Sequence, residues 1–130
     1  MRAISFSFTA ARDQPRKADG VQLAEIALRA KNGTAIRVAT VRNPGGVHPS
    51  PFQVPARVAD GNLQTKWFDA NFSSVGRSRL ELWLEHDESV HSVELFTAND
   101  NPRRDPVAFF VGVLRPVSVR WAPNQPKPRS

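Results

Sequence analysis

The sequence predicts an all-β domain, an antiparallel β-sandwich or jelly roll. Three observations carry that prediction. Apolar and polar residues alternate in twos along several segments, those segments are short, and they recur about every ten residues between clusters of Pro, Gly, Asn and Asp.

Taken in order, "AISFSFT" places Ile4, Phe6 and Phe8 on one face and Ser5, Ser7 and Thr9 on the other, a half-buried strand. "AARDQPRKADG" follows as a charged loop. "VQLAEIALRAKNG" has two readings. Leu23, Ile26 and Ala27 fall at helical spacing with Asn32-Gly33 as a C-cap, yet the segment also alternates, and Asn-Gly is equally a hairpin turn into "TAIRVATV". Two strands joined by that turn fit the rest of the pattern better.

"RNPGGVHPSPFQVP" is expected to be a long irregular loop, because its prolines remove backbone donors. "VADGNLQTKWFD" reads as a compact turn bearing Trp67. "RLELWLEHD" alternates cleanly, with Leu80, Leu82 and Leu84 inward and Glu81, Trp83 and Glu85 outward. "VHSVELFTA" turns Val93 and Leu95 inward. "VAFFVGVL" and "VSVRW" are two short strands split by Arg115-Pro116. Residues 1–121 form the domain, and 122–130 a Pro-rich tail expected to be extended and to order against a neighbour.

Composition narrows the partners. In 130 residues, 18 Lys and Arg outweigh 12 Asp and Glu, leaving a net charge of +6, most of it from dispersed Arg. This balance suits an acidic partner such as an acidic protein or filament. No recognised nucleic-acid motif or aromatic-basic strand accompanies it, so nucleic acid is not the expected partner. The absence of Cys removes disulfides and thiolate chemistry. No apolar run reaches membrane-spanning length, and "MRAISFSFTAARD" alternates where a secretory signal would be continuously apolar, so an intracellular location is expected. His48, His86 and His91 stand in no metal-ligand or catalytic spacing, and no nucleophile or phosphate-loop motif occurs; an enzyme is not expected.

Three segments, in order, carry a family resemblance. "ADGNLQTKW" (Ala59 to Trp67) resembles the Asp-Gly-Asn…Thr-Lys-Trp signature of galactose-binding-like domains, the discoidin and coagulation-factor C-terminal type. "TANDNPRRDPVAF" is similar to a Thr-Ala-Asn-Asp…Pro-x-Arg-Asp-Pro-x-x-Trp stretch of one branch of that superfamily, with Phe109 at the Trp position, and "VQLAEIAL" to that branch's early Val-Gln-Leu-Ser-Glu-Ile segment. The match runs from about Arg2 to Gly112. It implies an eight-stranded jelly roll of two facing antiparallel sheets, with Val21 to Leu28 as strand. Beyond Gly112 the chain departs from the family, since "VLRPVSVRW" lacks the usual Asp-Gly hairpin.

The resemblance also implies sites. The loop of Asp60, Asn62 and Thr65 often binds calcium in such domains, though a hard cation needs about six to eight oxygens and only one carboxylate is offered here. The competing expectation is a self-capped turn, with Asp60 accepting backbone amides, Gly61 at positive φ and Trp67 in the core. In "TANDNPRRDP", Arg104 is expected to fork onto Asp100 or Asp105 while Asn99 and Asp100 bond free amides, locking the loop; alternatively Arg103 or Arg104 meets an anionic or hydroxyl-rich ligand, Arg103 being the better placed for outward contact. For a sugar, the candidate aromatics and polar partners are Phe52, Phe68, Phe72, Trp83 and His48, with Phe52 and His48 on the long loop.

The function expected from these features is non-enzymatic: a small basic adaptor subunit working through protein–protein contacts in a cytoskeletal, ciliary or organellar complex. A lectin-like module for galactose-type sugars, with or without calcium, is the alternative.

Overall fold

The computed structural model describes residues 3–13, 16–112 and 118–122. Nine strands account for most of the regular structure: β1 (Ala3–Ala11), β2 (Val21–Leu23), β3 (Glu25–Arg29), β4 (Val38–Arg42), β5 (Trp67–Asp69), β6 (Ser78–Leu84), β7 (Ser92–Phe96), β8 (Pro106–Gly112) and β9 (Ser118–Ala122). The chain is all-β. Among the described residues, helical structure is limited to one turn, Phe72–Val75, and three short 3₁₀ turns, each beginning with Pro, whose fixed φ and missing amide suit that position. No helix among the described residues is long and apolar enough to cross a membrane.

Two layers enclose the core. One is the antiparallel sheet β4-β6-β1-β8; the other is β3-β7-β9, prolonged by the β2-β5 pair. Ala24 interrupts β2 and β3 only nominally, because its amide donates to the Phe96 carbonyl at 2.9 Å and carries the ladder on. Ile4, Phe6 and Phe8 of β1 and Leu80, Leu82 and Leu84 of β6 meet Ile26, Leu28, Val93 and Leu95 of the opposite layer, with Trp67 among them. Each is fully or almost fully buried, as the alternation requires. Side chains of this size contribute roughly 1.5–3 kcal/mol each on burial.

Val21 to Leu28 is strand, against its helical propensity. Pairing and burial explain why: β2 pairs with β5 and β3 with β7, and Val21, Leu23, Ile26 and Leu28 are buried. The Asn32-Gly33 turn is present, with Gly33 at φ 87° and its amide on the Ala30 carbonyl. Its return strand is divided, however. Ala35 bridges Arg29 and the Ile36 amide reaches Leu28, after which the chain leaves for the other sheet and pairs with β6 as β4.

One pairing corrects the antiparallel expectation. β9 runs parallel to β7, Ser92 opposite Ser118 and Phe96 opposite Ala122. The chain changes sheets between Gly112 and Ser118 and enters the second layer in the direction of β7. The expected tail falls outside the described residues except for Ala122, which ends β9 and is buried.

Candidate binding site

The three segments of the family resemblance interlock at one end of the sandwich. In the loop from Thr97 to Pro106, Asn101 takes a left-handed conformation (φ 43°), which Asn tolerates better than most residues, and Pro102 opens the 3₁₀ turn to Arg104. That turn directs the Arg104 side chain across the Phe68 ring, its guanidinium carbon 4.2 Å from the ring centre. Its Nε and Nη2 donate to the two oxygens of Asp19 at 2.7 and 2.8 Å, so Arg104 forks onto Asp19, not onto Asp100 or Asp105. The Arg104 hydrogen bonds hold the Asp19 carboxyl below the usual carboxylate range.

Asp100 and Asn99 are likewise redirected from the free amides expected for them. Asp100 accepts from Lys66 Nζ at 2.9 and 3.0 Å, and Asn99 Nδ2 donates to Gln64 Oε1. Gln22, fully buried on β2, donates to the Asp100 and Asn101 carbonyls and to the Asp100 carboxylate. Asp105 is buried, with Arg12 at 3.6 Å. The loop is locked, but by partners distant in sequence.

Arg103 is half-buried rather than outward. Its Nε is enclosed without a hydrogen-bond partner among the described residues, and its carbonyl accepts the Asp13 amide. Phe68 is buried beneath Arg104 and against Gly20, where a Cβ would stand 2.4 Å from the ring; it offers no open face to a sugar.

The Asp60 loop takes the self-capped form. Asp60 Oδ1 accepts the Asn62 amide, Asp60 Oδ2 the Thr65 hydroxyl, and Asn62 Oδ1 the Gln64 amide, while Gly61 sits at φ 72°. Arg57 stands 3.9 Å from Asp60 Oδ2. A cation here would have to displace these donors and share Asp60 with a guanidinium. A second carboxylate does arrive, Glu25 of β3, whose Oε2 accepts the Gly61 amide at 3.1 Å. Burial pushes the Glu25 carboxyl up to about 8; the Gly61 amide opposes this and Asp60 adds to it. A group kept protonated is a poor hard-cation ligand. Among the described residues no three His, Asp or Glu side chains gather as metal ligands would.

His48 and Phe52 do not converge on a shared pocket with the others. His48 Nε2 donates to Asn43 Oδ1 at 2.9 Å; the amide orientation follows from Asn43 Nδ2, which donates to Ser78 Oγ and the Arg79 carbonyl. Trp67 Nε1 uses the same oxygen. Phe52 is 73% exposed on the 3₁₀ turn Pro51–Gln53, Phe72 is buried, and Trp83 is partly exposed on the outer face of β6.

The sequence reading passed over a group at the open side of the sandwich. β8 and β9 are the outermost strands of their sheets. Phe109 of β8 meets Trp121 of β9 edge to face, with centroids 5.5 Å apart, bridging the two layers. Around them Phe110 is 70%, Val107 51% and Trp121 40% exposed. The adjacent phenylalanines at 109 and 110 were a usable signal, because in a strand one of the two must face out.

Compared with protein-family models, curated proteins and solved structures, the chain matches none.

Proposed function

We propose that this chain is a galactose-binding-like jelly roll acting as a non-enzymatic protein-binding module, a small basic adaptor that captures an extended acidic segment along β8. The observation that carries the proposal is the apolar edge of Val107, Phe109, Phe110 and Trp121, placed where no described strand pairs with the outer side of β8. Open strand edges are templates for an added strand, and soluble domains usually blunt them with charge or bulges. Here the register shifts between Pro106 and Ala108 at the start of β8, and beyond that point the edge carries aromatics, which commonly anchor protein interfaces. The net charge of +6 selects the partner's sign. The residues first assigned to sugar support a lectin role less well, since Phe68 is covered and His48 is committed to Asn43.

The test is a panel of ten-residue peptides alternating apolar residues with Asp/Glu, Ser or Lys, titrated into the full chain and followed by amide chemical shifts. Binding of the acidic set, with shifts centred on β8 and about tenfold weakening in Phe110→Arg, supports the proposal. Equal binding by Lys peptides, or shifts unaffected by Phe110→Arg, overturns it.

A further inference from the structure

A cleft of about 490 Å³ lies on the outer side of the first sheet, lined by Ser7 of β1, Ser78 and Arg79 of β6, Pro44 and Gly45 of the long loop, and Asn71, Val75 and Arg77 around the helical turn, with Asp69 at its base. The volume is in the usual range of small-ligand sites.

Its walls are held in place by one buried carboxylate. Asp69, 2% exposed, accepts the Val47 and Asn71 amides on Oδ1, both at 2.9 Å, and the Ser78 hydroxyl on Oδ2 at 2.6 Å. Asn71 Nδ2 in turn donates to the Gly45 carbonyl at 2.9 Å. The long loop, the helical turn and β6 are therefore fixed to each other before any ligand arrives, which lowers the ordering cost of binding.

The same bonds decide what the cleft can take. Three of the roughly four acceptor positions of Asp69 are taken by the protein. The groups still free among the described residues are mostly donors. Arg77 lines the cleft beside Arg79, whose Nε stands 3.2 Å from Glu81, and Ser7 lines it from β1. Two arginines and a serine lining one cavity suit an oxyanion, which offers several acceptors to their donors. Asn71 Oδ1 is a free acceptor, suited to a ligand hydroxyl, and Pro44 and Val75 supply an apolar wall for a carbon skeleton.

We infer that this cleft is a binding site for a sugar-sized phosphate monoester, its phosphate held by Arg77 and Arg79 and its hydroxyls by Asn71 and Ser7. The site is separate from the β8 edge and does not depend on a protein partner.

Calorimetric titration of the full chain with glucose 6-phosphate, glucose, inorganic phosphate and a phosphoserine peptide tests it. The expected result is a Kd of about 1 mM or tighter for the sugar phosphate, with glucose and inorganic phosphate each about tenfold weaker. Arg77→Gln and Arg79→Gln should each weaken the sugar phosphate about tenfold. Both side chains are on the surface, and unchanged thermal unfolding would show that the variants fold. No heat at about 10 mM sugar phosphate, equal binding of glucose, or indifference to Arg77→Gln overturns the inference. Tighter binding of the phosphoserine peptide assigns the phosphate to a protein and overturns the sugar part.

Discussion

Glu25 lies on β3 with one oxygen on the Gly61 amide and the other enclosed without a donor turned to it. Such a carboxyl is better accommodated protonated, and burial, with Asp60 adding, raises it from 4.5 to about 8. The folded state therefore holds this proton more tightly than the unfolded chain does. The favourable contribution of Glu25 is complete below pH 4.5 and is lost progressively as pH rises to about 8. Glu25→Gln, which keeps the amide contact without the charge, should be more stable than the parent at pH 8 and flatten the urea-midpoint profile between those limits. A parent profile that rises over the same interval would contradict this account. Nothing in the sequence around Glu25 distinguishes it from a surface glutamate; its state depends on burial beside a loop some 36 residues away.

At the scale of elements, the charged loop after β7 shows how composition can indicate rigidity without naming partners. Asn at the left-handed position, Pro at the start of the 3₁₀ turn and paired charges marked "TANDNPRRDP" as a loop that would lock. Nearest-neighbour pairing would send Arg104 to Asp100 or Asp105. The 3₁₀ turn instead points it to Asp19, 85 positions earlier, and leaves Asp100 to Lys66 and Gln22. Gln22 is the buried end of this lock. Gln22→Leu keeps the volume but strands the Asp100 and Asn101 carbonyls, and should cost about 2–3 kcal/mol in urea unfolding. Amide exchange should accelerate from Asn101 to Asp105 more than in β1. A uniform change across the domain would show that the loop is held in some other way.

For the molecule as a whole, the Phe109–Trp121 contact joins the outermost described strands of both layers. A double-mutant cycle with Phe109→Leu and Trp121→Leu should return a coupling of about 0.5–1.5 kcal/mol, the usual worth of an edge-to-face pair. A coupling near zero would mean that the two edges are held independently. The sequence marked strands where β8 and β9 lie, with a break at Arg115-Pro116 that falls outside the described residues, and could not place them. Whether the last strand lies antiparallel in a closed sheet or parallel beside β7 depends on where the chain crosses between layers, and period-two alternation is the same in either case.

The sequence alone determined that the chain is all-β, which side chains of β1, β6 and β7 turn inward, that Asn32-Gly33 makes a turn and that the Asp60 loop caps itself. These properties arise between residues a few positions apart, where propensity, alternation and backbone sterics act directly. Only the tertiary structure decided that Arg104 covers Phe68, that Glu25 is enclosed beside Asp60, that Asp69 anchors a cleft with Arg77 and Arg79 on its walls, and that Phe110 and Trp121 lie on the outermost described strands of their sheets. Each is a meeting of groups distant in the chain, set by strand order and register, and alternation carries no information about which strands become neighbours.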